Sequence, residues 1–174
     1  MEYVIALTCI NCQREYPPDP DRYLCPQCGD RGLLDVTYDY PAIKAKWSRA
    51  QLTADTEQSM WRYLPLLPVD PATPRPTLRV GWTPLYPGPR LARELGVREL
   101  YIKDDGLNPT SSLKDRASAV AVVKAREAGA STVACSSTGN AASSLAGNIA
   151  ASGDMNAVIF VPARAPQGKV AQLL

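Results

Sequence analysis

The second half of this sequence twice repeats a short apolar strand, a polar turn and a helix, and this order constrains the fold most strongly. The first strand and helix cover residues 100–102 and 115–128, the second pair covers 132–135 and 140–152, and a third strand covers 157–161. Such alternation favours right-handed βαβ crossovers and a parallel sheet, so we predict an α/β fold. Ligands of parallel sheets bind beyond the carboxyl ends of the strands, where both polar turns lie.

The first polar turn ends in Lys114, the residue with the clearest chemical implication. Its segment, residues 108–116, reads N-P-T-S-S-L-K-D-R and places the amine at a helix N-terminus, among N–H groups without internal partners. The helix dipole disfavours an ammonium group there and favours an anion or a neutral amine. Because a neutral amine is nucleophilic, we predict that Lys114 is catalytic and suited to Schiff-base chemistry; the alternative is a solvated surface lysine.

The second polar turn contains Ser137, Thr138, Gly139 and Asn140 at the start of the next helix. A serine or threonine at this place often caps the first N–H groups of a helix. A helix N-terminus with two hydroxyl groups and a glycine is also suited to a carboxylate or a phosphate. Because capping and anion binding are compatible, both interpretations apply to this turn.

Four cysteines near the N-terminus form two C-x-x-C pairs, Cys9 with Cys12 and Cys25 with Cys28. This spacing predicts a structural zinc site, because four thiolates close the tetrahedral shell and leave no open position for catalysis. Disulfides or unmodified thiols are the alternatives. Disulfides are typical of small secreted proteins, and the N-terminus lacks the apolar run of a signal peptide.

Charge and composition exclude several classes of function. Residues 1–38 contain six acidic residues against three basic ones, and the whole chain has a net charge of only +2, so we predict no nucleic-acid partner. No apolar stretch approaches membrane-spanning length, so we predict no membrane association and a cytoplasmic location. The sequence has no histidine, which excludes Ser-His and Cys-His catalytic arrangements.

The composition divides the chain into three predicted regions. Residues 1–38 form a zinc-ribbon-like module, and residues 39–80 form a connector in which five prolines between 65 and 76 prevent a continuous helix. The connector is too apolar for a free linker, so we expect it to pack against the core. Residues 81–174 form a partial α/β domain that ends in the opening of a helix, which suggests the N-terminal part of a longer enzyme.

Several of these segments resemble one family of enzymes. The lysine segment is similar to the N-P-T-G-S-F-K-D-R motif of the tryptophan-synthase-β-type (fold type II) pyridoxal phosphate (PLP) enzymes, and within them of the threonine synthases. Ser111 and Leu113 replace the glycine and the phenylalanine of that motif. Further matches are S-T-G-N at 137–140, W-R-Y at 61–63, G-W-T-P-L at 81–85 and P-A at 162–163.

The resemblance implies a function for each of these segments. Lys114 is expected to bind PLP covalently, and Asn140 to hydrogen-bond its 3′-oxygen. The turn Ser137–Asn140 is expected to bind the carboxylate of a small amino-acid substrate. The implied reaction is that of threonine synthase, in which O-phospho-L-homoserine and water give L-threonine and phosphate. Such proteins often carry a zinc ribbon, and a homodimer is expected.

Other functions remain compatible with the sequence. Within the same family, a threonine or serine dehydratase or a β-replacement synthase would use the same lysine. Outside it, the chain could be a non-catalytic zinc-ribbon binding module or a structural segment whose only activity is dimerisation. The phosphate loop for PLP and the partner of its pyridine nitrogen are not recognisable in these residues.

Overall fold

A computed structural model describes residues 1–19 and 21–173; Pro20 and Leu174, which belong to the first and third predicted regions, lie outside the described residues. The described strands are β1 Val4–Cys9, β2 Glu15–Tyr16, β3 Leu24–Cys25, β4 Gly29–Tyr38, β5 Leu85–Pro87, β6 Tyr101–Lys103, β7 Thr132–Ser136 and β8 Asn156–Phe160. The α-helices are α1 Tyr40–Lys46, α2 Arg49–Ala54, α3 Pro89–Glu94, α4 Lys114–Glu127, α5 Asn140–Ser152 and α6 Gln167–Ala171.

The N-terminal strands form an antiparallel sheet in the order β2-β1-β4-β3. Strand β1 pairs with β4 in a register that places Cys9 opposite Leu34. Cys9 and Cys25 are completely buried, whereas the buried apolar residues of the sheet, Val4, Ala6 and Leu7, keep 8–9% of their surface exposed. Because so small a sheet has little hydrophobic core of its own, the cysteines are its most buried point.

The connector is folded and packs on the rest of the chain. Ser48 and Gln51 form a reciprocal capping box at the start of α2, and a 3-10 helix covers Met60–Leu66. Met60 and Trp61 are buried in a cluster with Val80 and with the apolar face of α4. The connector is therefore a structural support for the helix that begins with the predicted catalytic lysine.

The second half contains a parallel and an antiparallel strand pair. Strands β7 and β8 pair in parallel through the α5 crossover, whereas β6 pairs antiparallel with β5. Among the described residues the strands therefore do not form the single parallel sheet that the sequence suggests, because the first predicted strand pairs with β5 instead. The predicted helices form with bounds close to those expected, and Gly129 and Gly153 follow α4 and α5 in the left-handed region.

The interface between α4 and α5 is the main helix contact of this half. Val122 of α4 packs against Leu145 and Ile149 of α5, and all three are buried. None of the helices formed by the described residues has both the length and the apolar character that crossing a bilayer requires.

Candidate active site and metal centre

Lys114 is the first residue of α4, and its side chain is exposed. Its backbone N–H donates to the Ser112 hydroxyl at 3.1 Å. The N–H groups of Asp115 and Arg116 donate to the carbonyls of Ser112 and Leu113, so the first N–H groups of α4 have partners, contrary to the expectation for this helix start. Within residues 1–19 and 21–173 the Lys114 amine makes no hydrogen bond and no ion pair. An amine without a partner at the positive end of a helix is available for reaction with a ligand.

The residue that replaces the motif glycine has a backbone conformation typical of glycine. Ser111 has a φ of 58°, in the left-handed region, where a side chain costs about 1–2 kcal/mol. This conformation explains why a glycine is usual at the corresponding place of the motif. Ser111 therefore retains the turn geometry at a cost in stability.

Replacing Ser111 with glycine is expected to raise the free energy of unfolding by up to about 1 kcal/mol, because relief of backbone strain exceeds the added entropy of the unfolded chain. Urea unfolding of the parent chain and of Ser111→Gly measures the difference in the free energy of unfolding. Ser111→Val, with a β-branched side chain at the same φ, should lower the stability instead. A glycine variant that is less stable than the parent would contradict this account.

Asn108 and Asp105 hold the loop that precedes Lys114. The Asn108 side chain is buried; its Oδ1 accepts from the Gly81 N–H at 2.9 Å, and its Nδ2 donates to the Asp105 carbonyl at 2.9 Å. Arg116 donates two hydrogen bonds to the Asp105 carboxylate, at 2.9 Å and 2.7 Å. These hydrogen bonds lower the pKa of Asp105 to about 2. The loop is therefore attached both to the segment around Gly81 and to α4.

Asp115 is the centre of a buried polar network between α4 and α5. Its carboxyl group is fully buried and accepts from the Thr110 N–H at 2.7 Å and from the Thr110 hydroxyl at 2.6 Å. From α5, the Ser144 hydroxyl donates at 2.6 Å and the Asn148 amide at 3.3 Å. The Ser118 and Ser144 hydroxyls are 2.8 Å apart. One carboxyl group thus joins the lysine loop to α5.

The turn before α5 leaves the helix start uncapped. Gly139 is the N-cap residue and provides no side chain, while the Ser137 hydroxyl accepts from the Gly139 N–H at 3.1 Å. The predicted capping by serine or threonine therefore does not reach the helix itself. The N–H groups of Asn140 and Ala141 have no hydrogen-bond partner among the described residues, which suits an anion at this end.

The two turns lie along the same pair of helices. Lys114 immediately precedes Asp115, and Asn140 lies one helical turn before Ser144, to which Asp115 is hydrogen-bonded. No hydrogen bond joins the Lys114 amine to the turn Ser137–Asn140 within the described part of the chain. A cleft of about 380 Å³ lies between the loop before Lys114 and α5; its lining includes Thr110 and Ser111 of the loop with Ser143 and Gly147 of α5, but neither Lys114 nor the turn Ser137–Asn140.

The four cysteines of the predicted metal site come together. The sulfur atoms of Cys9, Cys12, Cys25 and Cys28 all lie within 4.8 Å of one another, and Cys12 Sγ is 3.7 Å from Cys25 Sγ. Tetrahedral zinc with Zn–S bonds of about 2.3 Å separates its sulfurs by about 3.8 Å. All five described cysteines are free of disulfides. The donor set and its spacing therefore fit a tetrahedral metal ion.

Three further residues contact the cysteine cluster, and the C-x-x-C spacing does not predict them. The Tyr16 hydroxyl lies 3.0 Å from Cys25 Sγ, and this hydrogen bond lowers the pKa of Cys25 to about 6. Asn11 Nδ2 donates to Cys28 Sγ at 3.4 Å. Gly32 packs against the cluster, since a Cβ there would lie 2.5 Å from Cys28 Cβ. Their positions depend on strand pairing, which the spacing of the cysteines does not indicate.

These features point to a class of protein that the comparison with known families makes definite. The family model described as pyridoxal-phosphate dependent enzyme matches residues 76–174, more than half of the chain. The chain therefore belongs to the family of pyridoxal-phosphate-dependent enzymes, and the resemblance found in its motifs is confirmed.

Within this family the chain is similar to threonine synthases. It is 44% identical to the threonine synthase of Methanosarcina acetivorans over 97% of this chain and 40% of that protein. It is 43% identical to that of Methanocaldococcus jannaschii over 95% of this chain and 40% of that protein. The chain thus spans about 40% of the length of these relatives. A solved pyridoxal 5′-phosphate-dependent aspartate racemase is 30% identical, with a TM-score of 0.46 over 52% of this chain and 29% of the racemase.

Proposed function

We propose that this chain provides the lysine and carboxylate-binding segments of a PLP-dependent lyase similar to threonine synthase. The reaction would convert O-phospho-L-homoserine and water to L-threonine and phosphate. The observation that carries the proposal is the Lys114 amine at the start of α4, which has no partner among the described residues, together with the uncapped start of α5, the helix that packs against α4. We further propose that the protein is a cytoplasmic homodimer and that this chain consists of three regions, residues 1–38, 39–80 and 81–174.

The residues present fit the cofactor. Lys114 would hold PLP covalently through its amine, which has no partner in the described chain, and Asn140 would hydrogen-bond the 3′-oxygen from its exposed position at the start of α5. When bound, PLP supplies an electron sink for negative charge that develops on the substrate. Asp115, the neighbour of Lys114, accepts a hydrogen bond from Ser144, one helical turn beyond Asn140, and this contact would hold the two helix starts relative to each other.

The substrate carboxylate is proposed to bind at Ser137–Asn140. The uncapped N–H groups of Asn140 and Ala141 offer hydrogen-bond donors at the positive end of the α5 dipole, where an anion is favoured. Once the substrate amino group has replaced it on PLP, the free Lys114 amine would take the proton from the substrate α-carbon and return one later. The turn thus orients the substrate, and the lysine performs the proton transfer.

The cysteine cluster is proposed to hold a structural zinc ion. Four thiolates would complete its coordination and leave no position for a substrate, so the metal would stabilise the N-terminal sheet. The excess of acidic residues in this region argues against nucleic-acid binding. The zinc ribbon would then serve packing or assembly of the enzyme.

Reductive trapping tests the role of Lys114. The chain is incubated with PLP, reduced with borohydride and mapped by mass spectrometry, and we expect one pyridoxyl adduct at Lys114. Lys114→Ala should remove this adduct, whereas Lys169→Ala, at another lysine near a helix start, should leave it unchanged. Labelling scattered over many lysines in the parent chain would contradict the proposal.

Product analysis distinguishes the reactions that the same lysine could support. With O-phospho-L-homoserine, the enzyme that contains this chain should release threonine and phosphate in equal amounts. Formation of a 2-oxo acid and ammonia from threonine or serine would instead identify a dehydratase, and consumption of an added thiol or amine would identify a β-replacement synthase.

A further inference from the structure

We propose that Arg116 is a positioning residue for Lys114, which acts by fixing the loop before α4 through Asp105. This inference rests on the proposed role of Lys114 and adds a residue that does not itself touch the reacting atoms. Arg116 lies two residues beyond Lys114, so the two side chains point about 200° apart around the helix. Its influence on Lys114 therefore passes through the backbone of the loop.

The ion pair joins the two ends of the lysine loop. Arg116 Nε donates to Asp105 Oδ2 at 2.9 Å and Arg116 Nη2 to Oδ1 at 2.7 Å, a two-pronged geometry that fixes the guanidinium plane. The Thr83 hydroxyl donates to the same Oδ1 at 2.7 Å. Asp105 and Arg116 bracket residues 106–115, so breaking the pair releases the segment that contains Lys114.

A second contact joins Arg116 to the segment around Gly81. A Cβ at Gly81 would lie 2.9 Å from the Met60 backbone nitrogen and 3.0 Å from Arg116 Nη1, so Gly81 packs directly on the guanidinium. The Gly81 N–H also donates to Asn108 inside the loop. Arg116 is thus in contact with both the segment at Gly81 and the base of the loop that this segment supports.

The W-R-Y and G-W-T segments of the sequence meet in the same assembly. Gly81 and Trp82 have φ values of 84° and 53°, two consecutive left-handed residues. The Arg62 guanidinium lies 4.3 Å from the centre of the Trp82 ring and also donates to the Leu52 carbonyl. A cation that covers the indole in this way holds a strained turn in place. The connector therefore contributes to the position of the loop.

The same helix provides a matched control pair. Arg126, in the last turn of α4, donates to Asp154 at 2.8 Å and 2.6 Å in the same two-pronged geometry. This pair joins α4 to the turn after α5 and lies about three helical turns from Lys114. Arg126→Met thus removes a similar ion pair from the same helix and leaves the lysine loop intact.

Hydrogen exchange of the chain measures the position of the loop directly. In Arg116→Met we expect amide exchange in residues 105–114 to rise about tenfold, and the rate of reductive labelling at Lys114 to fall about tenfold. Arg126→Met should change both quantities less than about twofold. Arg116→Lys keeps the charge but loses the planar guanidinium, so its effects on amide exchange and on the labelling rate should lie between those of Arg116→Met and Arg126→Met.

Each outcome decides the proposal. Equal effects of Arg116→Met and Arg126→Met, or unchanged exchange in Arg116→Met, would overturn it and leave Arg116 a role in stability only. If Arg116→Met fails to fold, Asp105→Asn breaks the same pair with an isosteric side chain and should give the same local increase in exchange. Absence of selective labelling in the parent chain would contradict the role of Lys114, while the exchange data would still decide whether Arg116 fixes the loop.

Discussion

Asp115→Ala is expected to lower the free energy of unfolding by about 3–5 kcal/mol. The carboxyl group is completely buried, and it accepts hydrogen bonds from Thr110, Ser144 and Asn148. Removing it leaves these donors without an acceptor in a site that water does not reach, and each buried, unsatisfied donor is costly. Urea unfolding followed by circular dichroism measures the loss.

Two further variants separate burial from the general effect of losing a carboxylate. Asp154→Ala removes an acceptor whose side chain is 50% exposed, so its cost should stay below about 1 kcal/mol. Asp115→Asn keeps the size and one acceptor oxygen and should cost less than alanine. A loss below about 1 kcal/mol for Asp115→Ala would show that the network does not join α4 to α5 as described.

Gly32→Ala is expected to disrupt the proposed zinc site. The added Cβ would lie 2.5 Å from Cys28 Cβ and 2.7 Å from Cys25 Cβ, distances that require the cysteines to move. We expect about one zinc per parent chain by elemental analysis, and a loss of affinity of about 100-fold in the variant. Competition with a chromophoric chelator measures the affinity.

Gly29→Ala is the matched control in the same module. No atom lies within 4 Å of a Cβ at Gly29, and only its φ of 54° opposes a side chain. The variant should lose about 1 kcal/mol of stability and retain its metal. Equal zinc affinity in Gly32→Ala and the parent, or a parent chain purified without metal, would contradict the proposed centre.

The sequence predicts those parts of the molecule that depend on spacing along the chain. The two C-x-x-C pairs indicate the cysteine cluster, and the apolar periodicity gives α4 and α5 with nearly the observed bounds. The place of Lys114 at a helix start follows from the same local pattern. The glycine that the family motif has at this position agrees with the left-handed conformation of Ser111, although this chain has a serine there.

The parts that the sequence does not predict depend on contacts between distant residues. Asp115 suits a helix dipole by its position, yet its partners Ser144 and Asn148 lie 29 and 33 residues away. Asp105 follows a strand like many solvated acids, and only the fold shows its pairing with Arg116. Strand β6 pairs with β5, a partner that alternation of strands and helices does not suggest.

The register of α4 separates two neighbouring charged groups. Lys114 faces the exterior, while Asp115 is completely buried against α5. Successive helical residues differ by about 100° in direction, so a shift of the chain by one residue along α4 would bring Lys114 into the buried place of Asp115 and Asp115 into the place of Arg116. An amine would then be enclosed against α5, and the carboxyl group that accepts from Thr110 and Ser144 would be lost from that place. The length of the loop before α4 therefore decides which residue is buried against α5. Insertions in this loop should be tolerated far less than insertions in the surface turns.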